Sequence, residues 1–154
     1  MAALAAQLLD PSFAEPESIY AERLARCPSG CHVLATAQGI VGYAISHPWL
    51  RASPPPLRQP LGALPAQPDC WYIHDVGVAP GQRGGTSSAI LAHLETIAHE
   101  AGLRVMALVA VDGAQGFWQK QGYQPAMTPA LTHALQCYGD DAVYMEKPLR
   151  SAAY

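Results

Sequence analysis

The sequence predicts one mixed α/β domain, and three observations carry that reading. Residues 71–80 (WYIHDVGVAP) form a near-continuous apolar run of strand length, which passes through a turn at 81–88 (GQRGGTSS) into a helical repeat at 89–102 (AILAHLETIAHEAG). A second apolar run at 105–111 (VMALVAV) and a short aromatic segment at 114–121 follow directly, so that strand and helix alternate. At 154 residues, half of them hydrophobic, the chain suffices for one core and is too short for two typical domains, which makes 1–154 a single unit.

The elements follow in order. Helical segments open the chain near 3–9 and 16–26, the second beginning Glu15-Pro16-Glu17 with proline suited to a first turn. Runs at 31–37 and 40–46, joined across Gln38-Gly39, read as a hairpin. Residues 48–68 hold seven of the fourteen prolines and cannot enter a sheet interior. So long a loop in a compact domain is either a functional wall, here one side of an acceptor cleft, or a solvated connector. The strand at 71–80 precedes a helix whose buried stripe is Ile90, Leu91, Leu94, Ile97, Ala98 and Ala101. After the 105–111 strand and the 114–121 helix, Tyr123-Gln124-Pro125 and 142–147 read as closing strands.

The turn between strand and helix is built to receive an anion. Its three glycines let main-chain N–H groups approach a phosphate, and a helix N-terminus adds unpaired donors and the positive end of the macrodipole. A nucleotide P-loop would need GxxxxGK[ST], and no lysine follows these glycines; a dinucleotide fingerprint would need GxGxxG, whereas Gly81, Gly84 and Gly85 are spaced GxxGG. The plain alternative is a glycine-rich helix start with no ligand.

Gln82-Arg83-Gly84-Gly85-Thr86-Ser87, after Val78-Ala79-Pro80, resembles the [QR]-x-x-G-x-[GA] diphosphate signature of the GNAT superfamily of N-acetyltransferases. Ala114 to Tyr123 (AQGFWQKQGY) is similar to that family's A-x-x-F-Y-x-[KR]-x-G-[FY], and GIVGYAISHPW (39–49) and GDDAVYMEKPL (139–149) extend the likeness along the chain. The resemblance implies a mixed, mostly antiparallel central sheet of about six or seven strands flanked by helices. It implies acetyl-CoA as cosubstrate, no metal, and a primary amine of a small molecule or peptide as acceptor, attacked directly. By the same likeness a homodimer is possible. The loop is one residue short of the usual form. The helical stripe then selects Gln82 as the motif's first position, with Gly85 and Ser87 as its close-approach positions and Arg83 beside the phosphates. Gly84, Thr86 and Ser88 complete the binding turn.

The likeness also implies roles on the strands. Val76, Gly77 and Val78 would offer main-chain N–H groups to the thioester carbonyl and the pantetheine arm, with Gly77 permitting an irregular backbone. Asp112 would contact pantetheine, its alternative being the N-cap of the next helix. Phe117 and Trp118 would pack beside the thioester. Trp118 stands where the family commonly has a tyrosine acid, and indole has no titratable proton; Tyr138 or Tyr144 would be substitutes.

A general base must take a proton from the amine. His74 and Asp75 lie mid-strand in an apolar segment, and alternation sends them to opposite faces unless a bulge intervenes. The family favours Asp75, and the ordinary pKa of histidine favours His74. Either can instead be a buried, hydrogen-bonded structural group.

Net charge is −3 and the nine Lys and Arg are scattered, which points away from a nucleic-acid surface. No segment approaches the roughly 18 apolar residues of a membrane span, so a cytoplasmic protein is expected. Cysteines 27, 31, 70 and 137 read as free thiols. The leading expectation is an acetyl-CoA-dependent N-acetyltransferase; the alternative is an acyl-CoA-binding module without turnover.

Overall fold

The computed structural model describes residues 1–9, 11–82 and 84–151. Among them run β1 (Cys31–Thr36), β2 (Gly39–Trp49), β3 (Cys70–Val78), β4 (Val105–Ala110), β5 (Gln124–Pro125) and β6 (Val143–Pro148). They form one six-stranded sheet in the order β1-β2-β3-β4-β6-β5. Only β3 and β4 pair in parallel, so the sheet is mixed and mostly antiparallel. The helices are α1 (Ala2–Leu8), α2 (Glu17–Arg26), α3 (Gly85–Glu100), α4 (Gln115–Lys120) and α5 (Pro129–Ala134). None among the described residues is long and apolar enough to cross a membrane.

Both faces of the sheet are covered. On one, Trp71, Ile73, Met106 and Leu108 pack against Leu91, Leu94 and Ala98 of α3. On the other, Cys70, Tyr72 and Tyr144 meet Leu131 of α5, while Tyr43 and Ile45 meet Ala5 of α1 and Tyr20 of α2. Each Leu, Ile or Met among them contributes about 1.5–3 kcal/mol on burial. The stripe expected on α3 is buried at Leu91, Leu94 and Ala98 but not at Ala101, which is exposed where the helix ends ahead of Gly102 in the left-handed region (φ 78°).

α3 starts at Gly85, before its apolar repeat, so residues of the glycine-rich turn are themselves the first helical turn. α5 is an addition to the expected elements: Thr128 Oγ1 accepts from the Leu131 N–H at 3.2 Å and Pro129 fills the first turn.

The proline-rich loop is anchored along its length. Arg51 makes a two-pronged ion pair with Glu146 (3.1 and 2.7 Å), and the Ala52 N–H donates to the Tyr144 hydroxyl at 2.8 Å. The N–H groups of Leu61 and Gly62 donate to Glu22 at 3.0 and 3.2 Å. Arg58, in the left-handed region (φ 62°), donates through its N–H to Glu15 at 2.9 Å and through its guanidinium to the carbonyls of Ala14 and Ser12.

Candidate functional site

A β-bulge organises the site. Ile45 of β2 pairs with Asp75 and Ser46 with Ile73, which leaves His74 as an extra residue in β3. The extra residue reverses the alternation. Ile73 and Val76 face α3, whereas Asp75 and Gly77 pair with Ile45 and Tyr43 and share their face, toward α1 and α2. Opposite faces for His74 and Asp75, the outcome without a bulge, therefore do not occur: both residues line the same two cavities.

Each of the pair has a partner that sequence reasoning missed. The Tyr43 hydroxyl donates to Asp75 Oδ2 at 2.8 Å. Burial pushes the Asp75 carboxyl up to about 6, against the pull of His74 and of this hydrogen bond. His74 Nε2 lies 2.5 Å from Glu15 Oε1, with both side chains almost fully enclosed (2% and 4% exposed), while Nδ1 is buried without a partner among the described residues. Burial opposes ionisation of Glu15, but hydrogen bonds from His74 and the Arg58 N–H outweigh it and hold the carboxyl below its usual range. An ionised Glu15 can only accept, so Nε2 carries the hydrogen.

Gly77 matters for space rather than for an irregular backbone. A Cβ there would stand 2.5 Å from the Tyr43 ring, which crosses β3 at this point on its way to Asp75. Gly77→Ala should push Tyr43 off Asp75 and lower stability by about 1–3 kcal/mol, read from the urea midpoint.

β3 and β4 pair only at Trp71, Tyr72 and Ile73, and beyond that the strands part. The parting opens a cleft of two adjoining cavities. One, of about 420 Å³, is lined by His74, Asp75 and Val76 on one side and by Asp112, Phe117 and Trp118 on the other. The second, of about 390 Å³, runs past Val76, Gly77 and Val78 to Ser87 at the start of α3. His74 to Gly77 are each partly exposed, and since the His74 side chain is enclosed, its exposure is main-chain.

The start of α3 closes the cleft at its far end. Gly84, the N-cap, has φ 100° and ψ −126°, a conformation open only to glycine, and among the described residues no side chain caps the helix or places an acidic group in its first turn. A Cβ at Gly81, Gly84 or Gly85 would meet nothing within 4 Å, so no packing among the described residues calls for these glycines. An uncapped helix start with open space before it fits a diphosphate. Ser87 faces the cleft, whereas Thr86 lines a separate groove beside β1 and β2. Gln82 is exposed, Ser88 is exposed on the first turn, and Arg83 lies outside the described residues.

Residues 2–123 match the acetyltransferase (GNAT) family. The chain belongs to that family. The GNAT fold is also that of its structural neighbours: Ard1 from Thermoplasma volcanium (TM-score 0.67, 14% identity, 94% of this chain and 88% of that one). A GNAT-like decarboxylase, GphF, in complex with isobutyryl-CoA gives TM-score 0.71 at 18% identity, covering 97% and 93%. Chaetomium thermophilum Naa20 with a bisubstrate analogue gives 0.65 at 24% identity, covering 96% and 81%. Curated protein sequences give no match.

Within this GNAT domain, other expected residues fall as follows. Trp118 packs edge-on against Phe117 and Tyr123, with ring centroids 5.0 and 5.3 Å apart. Asp112 lines the cleft in the left-handed region (φ 53°) and does not cap α4, whose N-cap is Ala114. Tyr138 is not brought to the Trp118 cavity. It lies beyond the bulge, donates its hydroxyl to the Pro55 carbonyl, and burial raises its pKa far above the ordinary value. Tyr144 is likewise engaged, accepting from Ala52 and donating to Glu146.

Proposed function

We propose that this GNAT protein transfers acetyl from acetyl-CoA to a primary amine by direct attack. The observation that carries the reading is that the half of β3 that parts from β4 and the start of α3 open onto one cleft. In this reading the first turn of α3, from Gly84 to Ser88, takes the diphosphate, with Gln82 and Arg83 beside it. The main chain of Val76, Gly77 and Val78 holds the pantetheine arm and stabilises charge developing on the thioester carbonyl. Phe117 and Trp118 wall the thioester, and Asp112 accepts from the pantetheine amide.

Asp75 serves as the base. Its carboxyl, pushed to about 6, is ionised at neutral pH yet takes a proton more readily than an ordinary carboxylate. His74, enclosed and held by Glu15, sits beside it as a positioning group. Tyr138, spent on Pro55, has no part in protonating the leaving thiolate. Coenzyme A, with a thiol pKa near ~8.5, leaves without a positioned acid. Trp118 in the place of the family's tyrosine also favours the second reading, an acyl-CoA-binding module without turnover.

Two measurements test this. Isothermal titration with acetyl-CoA should give one site per chain, and thiol release should rise above the background rate when a suitable amine is added. Binding without release across a broad amine panel would leave the second reading standing; no binding would remove both.

A further inference from the structure

The cleft does not end at the bulge. Beyond His74 and Asp75 it continues into a narrower space of about 50 Å³ walled by Leu9, Phe13, Leu57, Val109 and Val111. Four of these residues also line the 420 Å³ cavity, so the two spaces share walls. That space is roughly the room of three to five waters. Leu57 comes from the proline-rich loop, which Arg58 ties to the Ser12–Glu15 segment.

Among the described residues the polar side chains lining this space are Glu15, His74, Asp75 and Tyr138, and since His74 is turned to Glu15, the Asp75 carboxylate is the group that meets an incoming cation. Glu15 and Asp75 contribute two carboxylates, and the Tyr138 hydroxyl is committed to Pro55. Among the described residues no lysine or arginine lines either space. Arg58 turns its guanidinium to the carbonyls of Ala14 and Ser12, and Arg23 turns to Glu22 and the Gln59 carbonyl. A carboxylate brought in on an acceptor would lose its water beside two like charges. A second ammonium farther along would sit among apolar side chains.

We infer that the acceptor is a primary amine whose nitrogen is attached to a compact apolar group and carries no carboxylate beside it. This rests on the acyl-transfer reading above and narrows it. The same chemistry is presented by a small branched alkylamine and by the N-terminus of a peptide with an aliphatic first residue.

The test compares acceptors that differ in one group. With the wild-type protein and acetyl-CoA, kcat/KM should be at least 100-fold higher for 3-methylbutylamine and leucinamide than for leucine, and spermidine should fall with leucine. A short leucyl peptide amide surpassing leucinamide tenfold would identify a peptide terminus as the source; parity or worse would identify the small amine. Leu57→Ala, which enlarges the space beside Asp75 without touching its carboxylate's charge, should move the optimum toward a longer amine such as hexylamine. Leucine or spermidine matching 3-methylbutylamine would overturn the inference. Binding is read independently of turnover: with coenzyme A present, 3-methylbutylammonium should raise Tm, and leucine and isovalerate should not. Stabilisation by isovalerate or leucine instead would overturn the inference even if turnover is found. Selective stabilisation by the amine without any thiol release would uphold the site's preference and sink the acyl-transfer reading alone.

Discussion

Asp75→Asn is expected to cut kcat by about 10²–10⁴, the usual cost of losing a positioned base, while making the protein more heat-stable at neutral pH. The two effects share one cause. Burial raises the Asp75 carboxyl from 3.8 to about 6, so the folded chain holds this proton more tightly than the unfolded chain does. That contribution to stability is complete below about pH 4 and is lost as pH rises through about 6. Asparagine still accepts from Tyr43 but brings no charge to bury. At pH 7.5 the variant should gain about 1–2 kcal/mol, or roughly 3–6 °C in Tm, after allowing for the solvent that reaches a half-buried site. At pH 4 the two melting curves should converge. In the active protein kcat should fall on the acid side with an apparent midpoint near 6, as the Asp75 carboxyl takes up its proton. Turnover within threefold of wild type at pH 7.5 would remove Asp75 from the mechanism.

Much of this architecture was legible in the sequence, and what was not has physical reasons. Apolar periodicity located β3, β4 and the body of α3, because each buries a regular face against the sheet. It placed the start of α3 too late, since Gly85, Thr86, Ser87 and Ser88 are poor helix formers tolerated in a first turn. α5 had a readable signal, a threonine followed by proline at 128–129, yet its short apolar stretch gives no clear period. The ionisable pair on β3 was visible as an oddity. Its arrangement was not, because a one-residue bulge leaves no compositional trace yet flips every side chain beyond it. Glu15 and Tyr43 are 59 and 32 residues from the groups they hold, and nothing local marks them. The room Gly77 gives to the Tyr43 ring is equally non-local.

Gly85→Asp should separate helix stability from coenzyme binding by moving them in opposite directions. α3 begins at this residue with no side-chain cap and no acidic group in its first turn, so its unpaired N–H groups and positive end have no negative partner within the described chain. The position has space, because a Cβ there touches nothing within 4 Å. A carboxylate placed at the helix start should therefore stabilise the free protein by about 0.3–1 kcal/mol. The same charge would repel the diphosphate and occupy its donors. Acetyl-CoA affinity by titration should fall at least 100-fold, about 2.7 kcal/mol at 1.36 kcal/mol per factor of ten, with the fold unchanged by circular dichroism. Substitution by asparagine, similar in size without the charge, should lose far less affinity, since the clash is electrostatic. If the aspartate variant bound acetyl-CoA as tightly as wild type, the diphosphate would have to lie elsewhere, and the start of α3 would be a glycine-rich turn without a ligand.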